Sequence, residues 1–124
     1  MATIKSFTDL SQSKVLSQIL PFKSADMRIG NYVGKSGKVD GTNIHYYPKG
    51  ESFCAPEIIN AWSLAALLDI LDYPQLSKDR LGSGKTGWMV SVYPKECRHD
   101  SCWHDNPVDA CVEMIEKLHE LNLL

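Results

Sequence analysis

No stretch of this chain is apolar enough to cross a bilayer. The longest strongly apolar run, residues 61–71, is broken by Ser63 and Asp69 and reaches only about half of the ~20 residues that a spanning helix needs. Residues 1–9 turn polar before any run of the kind a secretion signal carries, which predicts a cytoplasmic protein. Disulfide chemistry is equally thin. The four cysteines, Cys54, Cys97, Cys102 and Cys111, are a sparse framework for 124 residues, and a reducing compartment would keep them as thiols. Positive charge is not in excess either, since 13 Lys and Arg face 15 Asp and Glu for a net charge of −2. A dedicated nucleic-acid binder draws most of its affinity from a basic surface. Repeats, low-complexity tracts and interdomain linkers are also missing. What is present is a length typical of one domain and a 44% hydrophobic content sufficient for one core, so residues 1–124 are expected to form a single globular domain.

The pattern of apolar residues and breakers predicts three helices. Residues 8–20 form the first, with Ser6 or Thr8 as N-cap, Asp9 near the positive end of the dipole, and Leu10, Leu16, Ile19 and Leu20 as its stripe. Pro21 ends it. Ser63 caps the second, in which Leu64, Leu67, Leu68 and Leu71 repeat at helical spacing, and Pro74 bounds it. The third starts at Asn106 with Pro107 in the first turn and Asp109 at N3. Its expected core stripe is Cys111, Met114, Ile115, Leu118 and Leu121, with Glu113 and Lys117 paired on the wet side.

Strands are expected over residues 27–33, over residues 42–47 and over residues 88–93. The second sends Ile44 and Tyr46 to one face and His45 and Tyr47 to the other; the third sends Trp88, Val90 and Val92 to one face. Residues 34–41 are loop chemistry, residues 48–60 are irregular with a short strand at Ile58 and Ile59, and residues 101–104 are a candidate partner for the third strand. The order α-β-β-α-β-β-α predicts an α+β fold, a small antiparallel sheet of three to five strands with the helices mainly on one face.

Several local strings suggest chemistry. Gly84-Lys85-Thr86 is the end of a phosphate-binding loop, but Asp79 stands where the first glycine belongs and a strand follows where a helix is required. A hairpin turn is the better reading. Cys97, His99, Cys102 and His104 are all competent zinc ligands. They crowd into eight residues, whereas structural zinc usually joins two separated knuckles; within strands Cys97 and His99 would share a face, as would Cys102 and His104. The alternative is a polar loop with Cys102 and Trp103 partly buried. Cys54 is expected to be packing rather than a nucleophile, Cys111 to be core, and His119 to serve its helix terminus. Glu113, Glu116 and Glu120 read as a solvated face. Tyr32, Tyr46 and Tyr47 among Arg28, Lys35, Lys38 and Lys49 could stack single-stranded bases between cations, although tyrosines also stabilise ordinary sheets. Leu121, Leu123 and Leu124 either complete the core or offer apolar surface for a homodimer.

The strings Ser11-Gln12-Ser13-Lys14-Val15-Leu16, Ser24-Ala25-Asp26-Met27, Ala61-Trp62-Ser63-Leu64-Ala65-Ala66-Leu67-Leu68 and Asn106-Pro107-Val108-Asp109-Ala110-Cys111-Val112-Glu113-Met114-Ile115 resemble a group of small uncharacterised bacterial proteins associated with prophages or mobile elements. The resemblance covers most of the chain, leaving residues 34–41 and 95–104 outside it. It implies a compact intracellular accessory protein and transfers no catalytic or binding residue. With no complete catalytic set, nucleotide loop or cofactor fingerprint in view, the expectation is a non-enzymatic accessory domain that acts on a protein partner. A zinc- or thiol-dependent protein built on residues 97–104 is the first alternative, and a single-strand binder built on the hairpin of residues 28–49 the second.

Overall fold

A computed structural model describes residues 5–124. The first helix, α1 (Leu10–Ile19), starts at Asp9, whose carboxylate accepts from the Gln12 N–H at 2.8 Å while the Gln12 side chain accepts from the Asp9 N–H at 3.1 Å. This reciprocal box satisfies two donors that a helix start leaves open. The cap is therefore Asp9, not Ser6 or Thr8. Thr8 is buried instead, its hydroxyl 2.8 Å from that of Ser13 and accepting from the Trp62 N–H at 3.1 Å. Pro21 forces the residue before it out of the helical region, and Leu20 is extended there.

Three antiparallel strands follow, β1 (Met27–Tyr32), β2 (Asn43–Pro48) and β3 (Glu57–Ala61), in the spatial order β2-β1-β3. Ser63 caps α2 (Leu64–Ile70) as expected, accepting from the Ala66 N–H at 3.2 Å. A second sheet then forms from β4 (Gln75–Arg80), β5 (Thr86–Val92) and β6 (His99–Asp100), in the order β4-β5-β6 and again antiparallel. The α+β class and the broad element order agree with the sequence reading, with the strands divided between two sheets. β4 falls outside the strands expected from the sequence. It is an edge strand whose residues are mostly solvated, so it carries no apolar alternation by which sequence reasoning finds strands.

The last helix, α3 (Pro107–Glu120), begins on Asn106, whose side chain accepts from the Asp109 N–H at 2.9 Å. Val108, Cys111, Met114, Ile115 and Leu118 are buried against α2 and β5. Leu121 is 48% exposed, contrary to its place in the expected stripe. The helix closes differently: Asn122 takes a left-handed conformation, its N–H donates to His119 O at 3.1 Å, and the Leu123 N–H donates to Leu118 O at 2.8 Å. This double bond pattern is a Schellman closure. It swings Leu123, rather than Leu121, back against the core, while Leu124 stays half exposed.

The main core joins Leu16 and Leu20 of the first helical region to Trp62, Leu67, Val90, Val92 and the buried face of α3. Trp62 is fully buried, and its indole N–H donates to Ser24 Oγ at 3.0 Å, so its polar edge is satisfied. The starts of α1 and α3 are tied together at Asp109, whose carboxylate receives Lys5 Nζ at 2.8 Å, Gln12 Nε2 at 2.7 Å and Asn106 Nδ2 at 2.8 Å. Burial pushes this carboxyl's pKa up, but those three donors outweigh it and hold it below the ordinary value.

The Gly-Lys-Thr string is a hairpin turn. The Leu81 N–H donates to Lys85 O at 2.8 Å, the Gly84 N–H donates to Leu81 O at 2.8 Å, and Gly84 has φ +85°. A strand follows it, so no helix terminus is there to cradle phosphate. The loop between β1 and β2 opens with the same construction: Gly34 N–H to Lys38 O at 2.9 Å, Gly37 N–H to Gly34 O at 3.0 Å, and φ +81° at Gly37. In both turns a Ser-Gly-Lys triplet supplies the left-handed glycine.

Candidate functional site

The two constellations singled out in the sequence meet different fates. Alternation along β1 and β2, with Arg28 opposite Tyr47, Gly30 opposite His45 and Tyr32 opposite Asn43, sends Arg28, Tyr32, His45 and Tyr47 to one face of the first sheet. On β3, Ile58 and Asn60 lie beside Gly30 and Arg28 on that face. The opposite face carries the buried Ile29 and Asn31, and α1 packs on β3. On the face that holds the tyrosines, His45 and Ile58 are exposed and Arg28, Tyr32, Tyr47 and Asn60 half-buried.

The aromatic side chains form a connected patch there. Phe53 returns from the β2–β3 connection and stacks on Tyr47, with ring centres 4.0 Å apart and planes 13° from parallel. The Tyr32 and Tyr47 hydroxyls lie 2.9 Å apart, and Tyr32 meets the edge of His45 at 5.4 Å. Gly30 is the floor: a Cβ on it would lie 2.9 Å from Tyr32 Cε2, 3.1 Å from Phe53 Cε2 and 3.2 Å from Tyr47 Cε2. Only glycine lets the three rings close over the strand. The hydrogen bond to Tyr47 pushes the Tyr32 phenol up to about 12.

The remaining members of the expected nucleic-acid set lie elsewhere. Tyr46 points to the opposite face, stacks on Phe7 at 5.4 Å and donates to Thr8 O at 2.9 Å. Lys49 folds over the Phe22 ring, 4.5 Å from its centre, and donates to Phe22 O at 3.1 Å. Lys35 stands exposed in the β1–β2 turn. Of the six residues, Arg28, Tyr32 and Tyr47 share the open face. Phe53, Gly30, His45 and Ile58 join them there without having been singled out. A lone glycine within a strand pattern was the available signal for Gly30, whereas Phe53 sits in an irregular segment that gave none.

The Cys-His segment is stitched to β5 and α3. His99 and Asp100 pair with Val92 and Ser91, Ser101 bonds Val90 through both its N–H and its hydroxyl, and His104 bridges to Trp88 in both directions at 2.7 and 2.8 Å. Glu113 reaches over from α3. One of its oxygens accepts from the Cys102 N–H at 2.8 Å, and the other lies 2.9 Å from His104 Nε2. Burial pushes the Glu113 carboxyl's pKa up, yet these bonds together with the Cys102 thiol hold it below the ordinary range. The expected Glu113–Lys117 pair is thus replaced, with Lys117 Nζ donating to Asp100 O at 3.2 Å.

Cys97 and Cys102 are exposed, so Cys102 is not partly buried as expected of this loop, whereas Trp103 is 40% exposed with the rest of its surface covered. Cys54 is exposed as well, against the expectation that it packs in the interior, because residues 51–56 run over the surface as irregular chain. Cys111 is core as expected, and burial pushes its thiol up to about 12. Among the described residues no group of three or more His, Cys, Asp and Glu side chains is arranged to hold a metal ion. Among the same residues no helix is long and apolar enough to cross a membrane.

No known protein family matches the chain, and no curated protein or solved structure shows significant similarity to it.

Proposed function

We propose that this is a non-enzymatic accessory domain that binds a protein partner through the open face of its first sheet. The observation that carries the reading is the patch of Tyr32, Tyr47 and Phe53 closed over Gly30, with His45, Arg28 and the half-exposed Ile58 around it. An antiparallel sheet with one solvated face normally turns polar residues outward. Tyrosine, phenylalanine and arginine are instead the residue types that anchor protein interfaces.

A protein partner is favoured over single-stranded nucleic acid by the way the rings are used. Phe53 already takes up one stacking face of Tyr47, while Tyr46 and Lys49 are engaged elsewhere. A prophage or mobile-element origin and a cytoplasmic setting are consistent with an accessory role of this kind.

Capture from the native cell with wild-type bait, set beside bait carrying Arg28→Glu and His45→Glu, tests the reading. One identified protein should be retained by the wild type, and its affinity should fall by about thirtyfold in the variant, the loss of a hot-spot contact. Equal retention by both baits rejects the face. Salt-sensitive binding of a single-stranded oligonucleotide that weakens with Tyr32→Ala would replace the protein partner with nucleic acid.

A further inference from the structure

The edges of the two sheets are protected unequally. β4 ends one side of the second sheet with Lys78, Asp79 and Arg80 in succession, the kind of charge that keeps an edge from accepting another strand. β2 ends one side of the first sheet and finishes at Pro48, which has no N–H to offer. On the other side stands β3, reading Glu57-Ile58-Ile59-Asn60-Ala61, with neither a cation nor a proline in it and with Ile58 48% exposed. A groove of about 520 Å³ runs along β3, bounded by Lys14, Ser17 and Gln18 of α1. Just past β3 the chain already takes an extended segment antiparallel, the Thr8 N–H donating to Trp62 O at 2.9 Å and the Leu64 N–H to Ser6 O at 3.1 Å. Among the described residues no strand lies along the outer edge of β3 itself.

We propose that a second copy of this chain occupies this edge, its β3 pairing antiparallel with the first about a two-fold axis at Ile59. A row of strand N–H and C=O groups is matched by another extended backbone, and the sequence of β3 is complementary to itself in this register. Ile59 meets Ile59, Ile58 meets Asn60 and Glu57 meets Ala61, so no like charges are opposed. The same register at β4 would bury charged side chains against Leu76 and Ser77. The two first sheets become one continuous antiparallel sheet, with both aromatic patches on the same side. This pairing needs no other partner, so it is measured separately from binding at the open face.

Sedimentation velocity on the full chain in reducing buffer, which prevents crosslinks through Cys54, Cys97 and Cys102, should show the mass rising to twice that of the monomer with concentration. Ile58→Lys combined with Asn60→Lys sets lysine against lysine across the axis and should weaken association by about tenfold. Ile58→Lys combined with Asn60→Glu sets opposite charges at the same positions and should restore it. Circular dichroism verifies that both variants fold. In the dimer, amide hydrogen exchange should slow across residues 57–61. A chain that stays monomeric at its highest soluble concentration overturns the proposal. So does a dimer that responds alike to the two double variants, or one that leaves exchange at residues 57–61 unchanged.

Discussion

The two sheets are built from the same parts and used in opposite ways. Each has three antiparallel strands and a hairpin whose turn is closed by a Ser-Gly-Lys triplet with a left-handed glycine. In the second sheet, Val90 and Val92 of the central strand are spent on the core under α3, and the Cys-His segment is pinned beside them. In the first, the central strand buries Ile29 on one side and carries Tyr32 on the other, where Tyr47 and Phe53 join it beside the exposed His45 and Ile58. The difference teaches that strand chemistry alone does not define a binding face. What defines it is which side the neighbouring helices leave open.

The comparison predicts unequal costs of truncation. Trp62→Ala, in the shared core, should lower stability by about 4 kcal/mol, whereas Phe53→Ala on the open face should cost about 1 kcal/mol, the worth of a partly exposed aromatic pair; chemical denaturation reads both. A ratio near one would mean that the face is core after all. Asp109→Ala should cost about 1–2 kcal/mol, because it removes three donors' acceptor at a site about one-third exposed. The sign with pH follows from the depressed carboxyl. Its stabilisation is present above the unfolded carboxylate pKa and is lost as pH falls through the lower folded value, so the wild type should lose stability on acidification and Asp109→Ala should lose less of it.

The twin turns sharpen the contrast further. Gly37→Ala and Gly84→Ala should each cost about 1 kcal/mol for a left-handed alanine, and by nearly equal amounts, since a Cβ at either position would meet nothing within 4 Å. The smallest effect is spectroscopic. Tyr47→Phe removes the hydroxyl that raises the Tyr32 phenol, so ultraviolet titration should show Tyr32 moving down from about 12 toward the ordinary tyrosine value, with little change in stability.

Helix starts were the most legible part of the sequence. Asn106 with Pro107 and Ser63 ahead of a leucine repeat announced α3 and α2, because capping is a local negotiation between a side chain and its own backbone. The start of α1 was misread by one or more residues because Ser6, Thr8 and Asp9 are all competent caps, and what removes Thr8 is a distant bond to Trp62. β4 was illegible because a solvated edge strand has no apolar period. In the candidate site, the alternation of His45 and Tyr47 could be read in advance. The Phe53 stack and the reach of Glu113 across to Cys102 and His104 depend on tertiary approach, which no local pattern encodes.

The cysteines turn the same architecture into a built-in reporter. Cys54, Cys97 and Cys102 stand on the surface, where a maleimide or a fluorophore reaches them in the folded protein, while Cys111 is sealed against α3's neighbours. Blocking the three surface thiols first leaves one latent group, silent until the core opens. The rate at which Cys111 then takes up label becomes a clock for the opening of this fold, read one molecule at a time and without any engineered probe.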